Sequence, residues 1–461
     1  LGPAVTTTDN NSYSHNYGVE SYLARINYGF KSRYYIDASW RTDGSSRFHP
    51  SDRWGHFWSV GASWRISEEQ FMENTRQWLD NLTLKVSYGV QGNDNLGTYY
   101  AWQGLYDYTW PNATDAGAFV DKLENRKVTW EKNGNLNAGI EATMFGGRLG
   151  VSVEYYNRKT RDMLLNSPLP ISTGFTGFND NVGSLRNQGL EVSLRGTILD
   201  KRDFRWDATL MGSFNRNKVL SLTGGQDVIT SGIRVIEVGR PIYTFYLPKT
   251  AGVDPATGKQ LYYAYWTQTV NDEGTLVNTR CDEYITDNVA MATLSKYYHE
   301  SREPKLFGSI GSTFTILKNI DVSFLTTYSI GGWVYDGLYN GSMYVQYAGN
   351  NWHKNAKRRW QKPGDKTDVP MLEVGGSYAT ASNSLIDASY FAIKNITVGY
   401  TLPKRWLKKI DIESLRIYAT LDNIAMFNHM DGMDPQYNFT GSVAYSYTPS
   451  RVIAFGIDLN F

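Results

Sequence analysis

The sequence predicts an all-β fold, a transmembrane antiparallel β-barrel, from three observations. Apolar and polar residues alternate in stretches of strand length along all 461 residues. The connections between those stretches alternate short and long. The chain closes on Arg451-Val-Ile-Ala-Phe-Gly-Ile-Asp-Leu-Asn-Phe461, in which Ile453, Phe455, Ile457, Leu459 and Phe461 fall on one face of a strand and Ala454, Gly456, Asp458 and Asn460 on the other. Side chains alternate faces with period two, so a wall with lipid on one side and a polar interior on the other is written as this alternation.

Taken in order, the first stripe is Tyr22, Ala24, Ile26, Tyr28 and Phe30, and the second is Tyr34, Ile36, Ala38 and Trp40. Val60 to Ile66 and Leu82 to Val90 follow at the same spacing. Leu136 to Met144 faces Leu149 to Tyr155 across a Gly146-Gly147 turn. Leu190 to Leu194 precedes Phe204 to Leu210, and Ile310 to Ile316 precedes Ile320 to Tyr328. Ile396 to Leu402, Leu415 to Leu421 and the terminal stretch bring the expected strands to thirteen.

Short connections are expected at Lys31 to Arg33, Gly146-Gly147, Asp200 to Asp203 and Lys318-Asn319, with brief helical segments within Ser67 to Asn81 and Pro403 to Asp411. Long ones run Arg41 to Arg53, Gly92 to Trp130, Met163 to Gly183, Asn217 to Pro304, Trp333 to Ser389 and Phe427 to Ser450. Outer-membrane barrels have short periplasmic turns and long outside loops. That phase makes the last strand run inward and puts Leu1 outside.

Composition narrows the function classes. Aromatics are 14% of the chain, with 33 Tyr and 14 Trp. The 46 basic and 45 acidic residues leave a net charge of +1, which gives no argument for a nucleic-acid partner. No apolar run approaches the length of a membrane helix, which says nothing against a barrel. Cys281 is the only cysteine, so an intrachain disulfide and a thiolate metal cluster are excluded. The six His show no close ligand spacing, and Asp272-Glu-Gly274 lacks the regular oxygen spacing of a calcium loop. No cofactor, metal or catalytic residue is expected, because no nucleophile–base pair, paired carboxylates or phosphate loop is readable.

An odd strand count has a physical consequence. Single-chain bacterial barrels have even counts, and an open sheet would leave two edges of unpaired backbone in hydrocarbon, each group costing several kcal/mol. Further strands, from a missing segment or a separate chain, are therefore expected to close the sheet.

Longer motifs carry a resemblance. Arg41-Thr-Asp-Gly-Ser-Ser-Arg-Phe48, Asp52-Arg-Trp-Gly55, Ser59-Val-Gly-Ala-Ser-Trp-Arg-Ile-Ser-Glu-Glu69, Trp78-Leu-Asp-Asn-Leu82 and Val86-Ser-Tyr-Gly89 closely resemble the TonB-dependent transporters of the SusC/RagA family. So do Gly252-Val-Asp-Pro-Ala-Thr-Gly258, Glu303-Pro-Lys305, Tyr390-Phe-Ala-Ile-Lys-Asn-Ile-Thr-Val-Gly-Tyr-Thr-Leu-Pro403, Asn423, Gly432, Asp434-Pro435 and the Phe461 end, so that the resemblance spans essentially the whole chain. It implies a barrel of about twenty-two strands with a plugged lumen. Residues 1–461 are then the C-terminal portion, with the plug, the N-terminal extension and the TonB-contacting segment lying elsewhere. The implied setting is the outer membrane of a Gram-negative, Bacteroidetes-like bacterium. The implied function is TonB-dependent uptake of oligosaccharides or oligopeptides under a SusD-like lid lipoprotein, and Phe461 marks the barrel-assembly signal.

The outward Tyr28, Trp40, Trp64, Trp206 and Tyr400 suit interfacial girdles. The Asp-Gly-Ser-Ser segment with Arg41, Arg47, Asp52 and Arg53 reads as a turn and ion-pair lattice, with anion binding as the alternative. Function is expected in the long loops, where Tyr99, Tyr100, Trp102, Trp110, Tyr262, Tyr263, Trp266, Trp352 and Trp360 are residues that stack on sugars, grip peptides or pack against a lid protein. Two other readings stay open at this point: a passive porin-type barrel, and a soluble β-sandwich binding protein.

Overall fold

The computed structural model describes residues 14–461 apart from 109–116, 223–226, 344–350, 374, 375, 377, 408–411, 431, 432, 437, 438 and 444–446. Leu1, Trp110 and Gly432 thus lie outside the described residues. Among the described residues, one sheet contains thirteen strands in an order that follows the chain. They are β1 Val19–Phe30, β2 Tyr34–Ser45, β3 Trp54–Arg65, β4 Leu79–Asn93, β5 Glu131–Met144, β6 Leu149–Arg161 and β7 Ser184–Lys201. Next come β8 Phe204–Ser221, β9 Leu306–Ile316, β10 Ile320–Ile330, β11 Tyr390–Thr401, β12 Ser414–Asn428 and β13 Val452–Asn460. Every neighbouring pair is antiparallel.

Register carries the apolar stripes across the sheet without a break. Ile26 pairs with Ala38, Ala38 with Val60, and Val60 with Tyr88. At the other margin Val322 pairs with Val398, Val398 with Ala419, and Ala419 with Phe455. A one-residue slip at any pair would move a whole stripe to the other face. Bulges shift the register at Asp80 in β4, Ile198 in β7 and Lys394 in β11, and past the last of these Phe391 and Ile393 share the face of Ile396 and Val398. The apolar face has no second sheet on it among the described residues, and Ile26, Ile457 and Phe455 are 72%, 68% and 82% exposed. A sandwich buries this face against a partner sheet, which this architecture does not do.

The short connections turn tightly at one end. Lys31-Ser32 (φ 49° and 54°) and Leu317-Lys318 (φ 51° and 64°) place two successive residues in the left-handed region, the geometry that matches strand twist in a two-residue hairpin. Phe145-Gly146-Gly147 does the same between β5 and β6. The link from β7 to β8 is only Arg202-Asp203, and the remaining two short-side links contain the 3₁₀ segments Ile66–Glu68 and Gln70–Thr75 and the helix Lys404–Leu407.

The long connections are folded rather than open loops, which the alternation did not reveal. The strands reach into them, to Ser45 in β2 and Ser221 in β8. Between β8 and β9, six further strands form a separate sheet: Val228–Ser231, Arg234–Glu237, Thr244–Val253, Gln260–Val270, Leu276–Thr286 and Lys296–Ser301. Trp333–Asp336 pairs with Leu385–Asp387 and, in parallel, with Ser442–Val443, which ties the last two long connections together. The apolar cores lie here, around Phe48, Phe57 and Trp130, around Phe245, Leu247 and Tyr335, and around Val334, Met430 and Met433. A barrel wall buries its apolar face in lipid, so its water-excluding clusters form only where loops fold on themselves.

Candidate functional site

The face opposite the apolar stripes is a polar wall. Arg25, Asn27, Asp37, Lys85, Asn137 and Glu154, from β1, β2, β4, β5 and β6, line a recess of about 600 Å³. A second recess of about 950 Å³, lined among others by Ser39, Arg41, Asp43, Gln91 and Asn135, continues it toward the long connections. Charges on this wall are paired. Lys85 meets Glu141 across β4 and β5, while Arg41 Nε lies 2.6 Å from Asp43 along β2 and Arg205 Nε 2.7 Å from Asp207 along β8. Arg416 bridges three strands, 2.7 Å from Asp321 and 3.0 Å from Asp458. Such a surface offers hydrogen-bonding groups to a hydrated ligand without an apolar trap.

On the outer face, rings gather toward the two ends of the strands. At the short-turn end Tyr34 stacks on Trp64 at 6.4 Å and Trp206 on Phe314 at 5.7 Å. There Trp64 Nε1 donates to Glu69 at 3.1 Å, and Arg33 lies 3.1 Å from the same carboxylate. Hydrogen bonds from Tyr34 and Trp64, with the Arg33 charge, hold Glu69 below the usual carboxylate range. Tyr22 stacks on Trp54 at the long-connection end. Tyr28, Trp40 and Tyr400 are on this exposed face as well.

The Asp-Gly-Ser-Ser segment is mostly strand, since β2 continues to Ser45. Arg47 does not reach Asp52. Its Nη1 donates to the Asp94 carbonyl at 3.1 Å, and its guanidinium lies over the rings of Tyr17 and Tyr99 at 4.6 and 5.1 Å. Tyr17 and Ser45 hydroxyls donate to Asp94 at 2.9 and 2.7 Å.

The loop aromatics are dispersed over the crown. Tyr99 and Tyr100 pack near His15, and the Tyr100 hydroxyl accepts from the Asn16 amide at 3.3 Å. Trp102 meets His49 edge-on at 5.0 Å and leans on the Phe48–Trp130 cluster. Tyr263 lies under the Lys249 ammonium at 4.3 Å. Trp266 holds Ser295 and Tyr284 through its backbone, at 3.1 and 2.9 Å. Trp352 is exposed, whereas Trp360 donates from Nε1 to the Pro255 carbonyl at 2.9 Å and braces two long connections together. None of these lines the two wall recesses. Tyr262, expected as a surface ring, is only 1% exposed; its hydroxyl accepts from the Ala379 amide at 3.1 Å, and burial pushes its pKa up to about 12. Phe461 lies one residue beyond β13 and is exposed.

Sequence reasoning missed two features of the crown. One is a cavity of about 660 Å³ between the separate sheet and the next long connection, lined among others by Lys249, Tyr298, His299, Glu300, Trp333 and Ser382. The other is Glu303, whose carboxylate accepts from the Asn217 amide at 3.2 Å at the top of β8. Burial raises the Glu303 pKa to about 7, and Asn217 in turn accepts from the Ile242 amide at 2.8 Å. Glu303 falls inside a quoted motif; its burial was the signal a linear reading lacks.

A single antiparallel sheet with an apolar outer face, a charged inner face, short turns at one end and folded loops at the other defines the wall of an outer-membrane-type β-barrel. A family model for TonB dependent receptor-like β-barrels matches residues 1–424, and the chain belongs to that family. It is 29% identical to TonB-dependent receptor P26 of Formosa agariphila, over 96% of this chain and 46% of that protein. It is 28% identical to TonB-dependent receptor SusC of Bacteroides thetaiotaomicron, over 96% of this chain and 43% of that one. Among solved structures, that of the RagAB peptide transporter superposes with a TM-score of 0.82 at 30% identity, covering 96% of this chain and 48% of the other. The kinship to SusC and RagA indicated by the motifs is therefore shown. The chain spans less than half the length of each of these relatives.

Proposed function

We propose that this chain forms the C-terminal portion of an outer-membrane import barrel, and that TonB drives passage of an oligopeptide or oligosaccharide along its inner wall. The remaining strands and the plug come from a preceding segment or a second chain, in a barrel of about twenty-two strands. A SusD-like surface lipoprotein closes over the folded crown. The observation that carries this reading is the union of a lipid-type outer face with an inner wall of paired charges, Lys85–Glu141 and Arg416 with Asp321 and Asp458 across strands among them, below a crown with cores of its own. A passive pore has no need of so large a folded crown. The names of the relatives, receptors and a transporter, support a role without bond chemistry.

The test is energised uptake. Intact complex is purified from its host, its bound ligand identified by mass spectrometry, and uptake of that ligand followed in cells with and without TonB. Uptake is expected to vanish without TonB. Uptake that persists at the same rate marks a passive pore and overturns the proposal.

A further inference from the structure

On the outer face of β8, Phe204, Trp206, Ala208, Leu210, Gly212 and Phe214 follow one another at every second position. From Phe204 to Phe214 the strand runs roughly 34 Å, which is about 24–28 Å of depth at the tilt of barrel strands. The apolar band of such a barrel is about 25 Å tall. The next two outward residues of β8 are Arg216 and Lys218. Cations on this strand therefore begin where hydrocarbon ends.

The neighbouring strands make the same change at the same level. Lys218 pairs with Arg186 and Arg216 with Gln188, across β8 and β7. Arg186 pairs with Lys159 on β6, Lys159 with Gly134 on β5, and Arg161 with Lys132 one outward position further. Just below them on this face, Tyr155 pairs with Leu190 and Leu190 with Phe214. Lys132, Lys159, Arg161, Arg186, Arg216 and Lys218 thus form one basic patch, roughly 14 Å wide across four strands. Every carboxylate of β5 to β8 takes an inward position: Glu131, Glu141, Glu154, Glu191, Asp200 and Asp207. The inner wall pairs its charges, as Arg205 does with Asp207. Among the described residues, none of the six outward cations has an ion-pair or hydrogen-bond partner, and none is buried. A merely solvated surface intersperses the two signs. Like charges facing each other across strands oppose their pairing, so this patch is relieved by an anionic occupant.

We propose that the patch binds the phosphate groups of lipid headgroups, in the leaflet beside the long connections, which is the outer leaflet when those connections face outside. Arg186 and Arg216 present planar forks that match phosphate oxygens, and Lys132, Lys159 and Lys218 add point charges on flexible stems. Asn157 and Gln188, paired with each other between the rings and the cations, offer hydrogen bonds to the ester or sugar part of a headgroup. The occupant is a lipid because the cations stand on the wall itself, continuous with the apolar face. A chain packed against Leu190 and Phe214 brings its own headgroup to their level. The site requires the barrel wall but not TonB-driven import, and so goes beyond the reading above.

The experiment uses the intact complex in detergent, with native mass spectrometry to count bound lipid. The probes are diphosphoryl lipid A, the same lipid stripped of its phosphates, and inorganic phosphate as competitor. Stripping the phosphates is expected to weaken binding about a hundredfold, and a large excess of inorganic phosphate to leave the lipid in place. The fourfold variant Lys159→Gln, Arg186→Gln, Arg216→Gln, Lys218→Gln should lose about a hundredfold as well. Lys159→Arg with Lys218→Arg should retain binding. Glutamine at four exposed crown cations, Lys354, Lys357, Arg359 and Lys362, should change nothing. A photocrosslinking p-benzoylphenylalanine at position 157 should capture the lipid. Equal binding of the two lipid forms overturns the proposal, as does an equal loss in the wall and crown variants. Displacement by inorganic phosphate overturns it too, since the patch is then a site for any anion, and so does capture of a polypeptide at position 157. The comparison of lipid forms needs no variant, so it decides the matter even where the fourfold variant fails to fold. Uptake that persists without TonB while lipid stays bound sinks the import reading alone; TonB-driven uptake with no phosphate-dependent lipid sinks this inference alone.

Discussion

Arg416 shows how one side chain fastens the wall. Its guanidinium grips Asp321 with two nitrogens, at 3.0 and 2.7 Å, and Asp458 with the third, joining β12 to β10 and β13. The intervening β11 passes beneath it at Gly399, where a Cβ would lie 2.5 Å from Asp321 and 2.6 Å from Arg416. Arg416→Ala leaves two carboxylates facing each other and is expected to cost about 1–2 kcal/mol. Arg416→Lys keeps the charge, loses the fork and costs less. Both are read as a lowered temperature for loss of the compact band in detergent gels. Glu303 makes a pH prediction. Its pKa rises from 4.5 to about 7 on folding, because burial disfavours the carboxylate. A raised carboxyl pKa stabilises the fold below the unfolded value, and that contribution is lost as pH climbs through the folded one. Proteolytic nicking within the connection from β8 to β9 should therefore increase between about pH 5 and pH 8. Glu303→Gln, neutral throughout, should flatten the profile; an unchanged slope in that variant excludes Glu303 as its source.

At the scale of elements, the sheet was legible and the crown was not. Barrel strands have lipid on one side and polar groups on the other, so Ile320, Val322, Phe324 and Asp321, Ser323 separate by parity alone. The crown strand Thr244–Val253 is covered on both faces over its first half. Thr244, Phe245, Leu247 and Pro248 are all buried, and the alternation that marks a strand disappears. The same covering explains Tyr262, which composition alone makes look like a surface ring. Short turns were located by length, though their conformation was not, since neither Lys31-Ser32 nor Leu317-Lys318 carries the glycine or asparagine usual at positive φ. That mismatch gives a prediction. Leu317→Asn with Lys318→Gly removes side chains from strained positions and should raise barrel stability by about 0.5–1 kcal/mol. It is measured by the urea midpoint of refolding into detergent. A lower midpoint would mean that the two side chains make contacts worth more than the strain.

On the scale of the molecule, the thirteen-strand order begins at β1 and ends at β13 without pairing them among the described residues. Each strand reverses the one before it, so β1 and β13 run in the same direction. Joining them directly would require a parallel pair in a sheet otherwise wholly antiparallel, whereas an odd number of added strands closes it antiparallel throughout. The apolar stripe continues to both margins, through Ile26 on β1 and Ile457 on β13, so both edges stand at the depth of hydrocarbon. Unpaired amides there cost several kcal/mol each. A pair of chains or segments that meets at both margins removes the whole of that cost in one step, which makes closure all-or-none. We therefore expect the 461-residue chain refolded alone into detergent to give no heat-modifiable band, and the same chain refolded with the polypeptide that supplies the remaining strands of the proposed barrel to give one. Cysteines introduced at Ile26 and Ile457, in a background with Cys281→Ser, should crosslink to the added segment and not to each other. A disulfide between those two positions would show that the margins meet directly, and the barrel would then be complete with these strands alone.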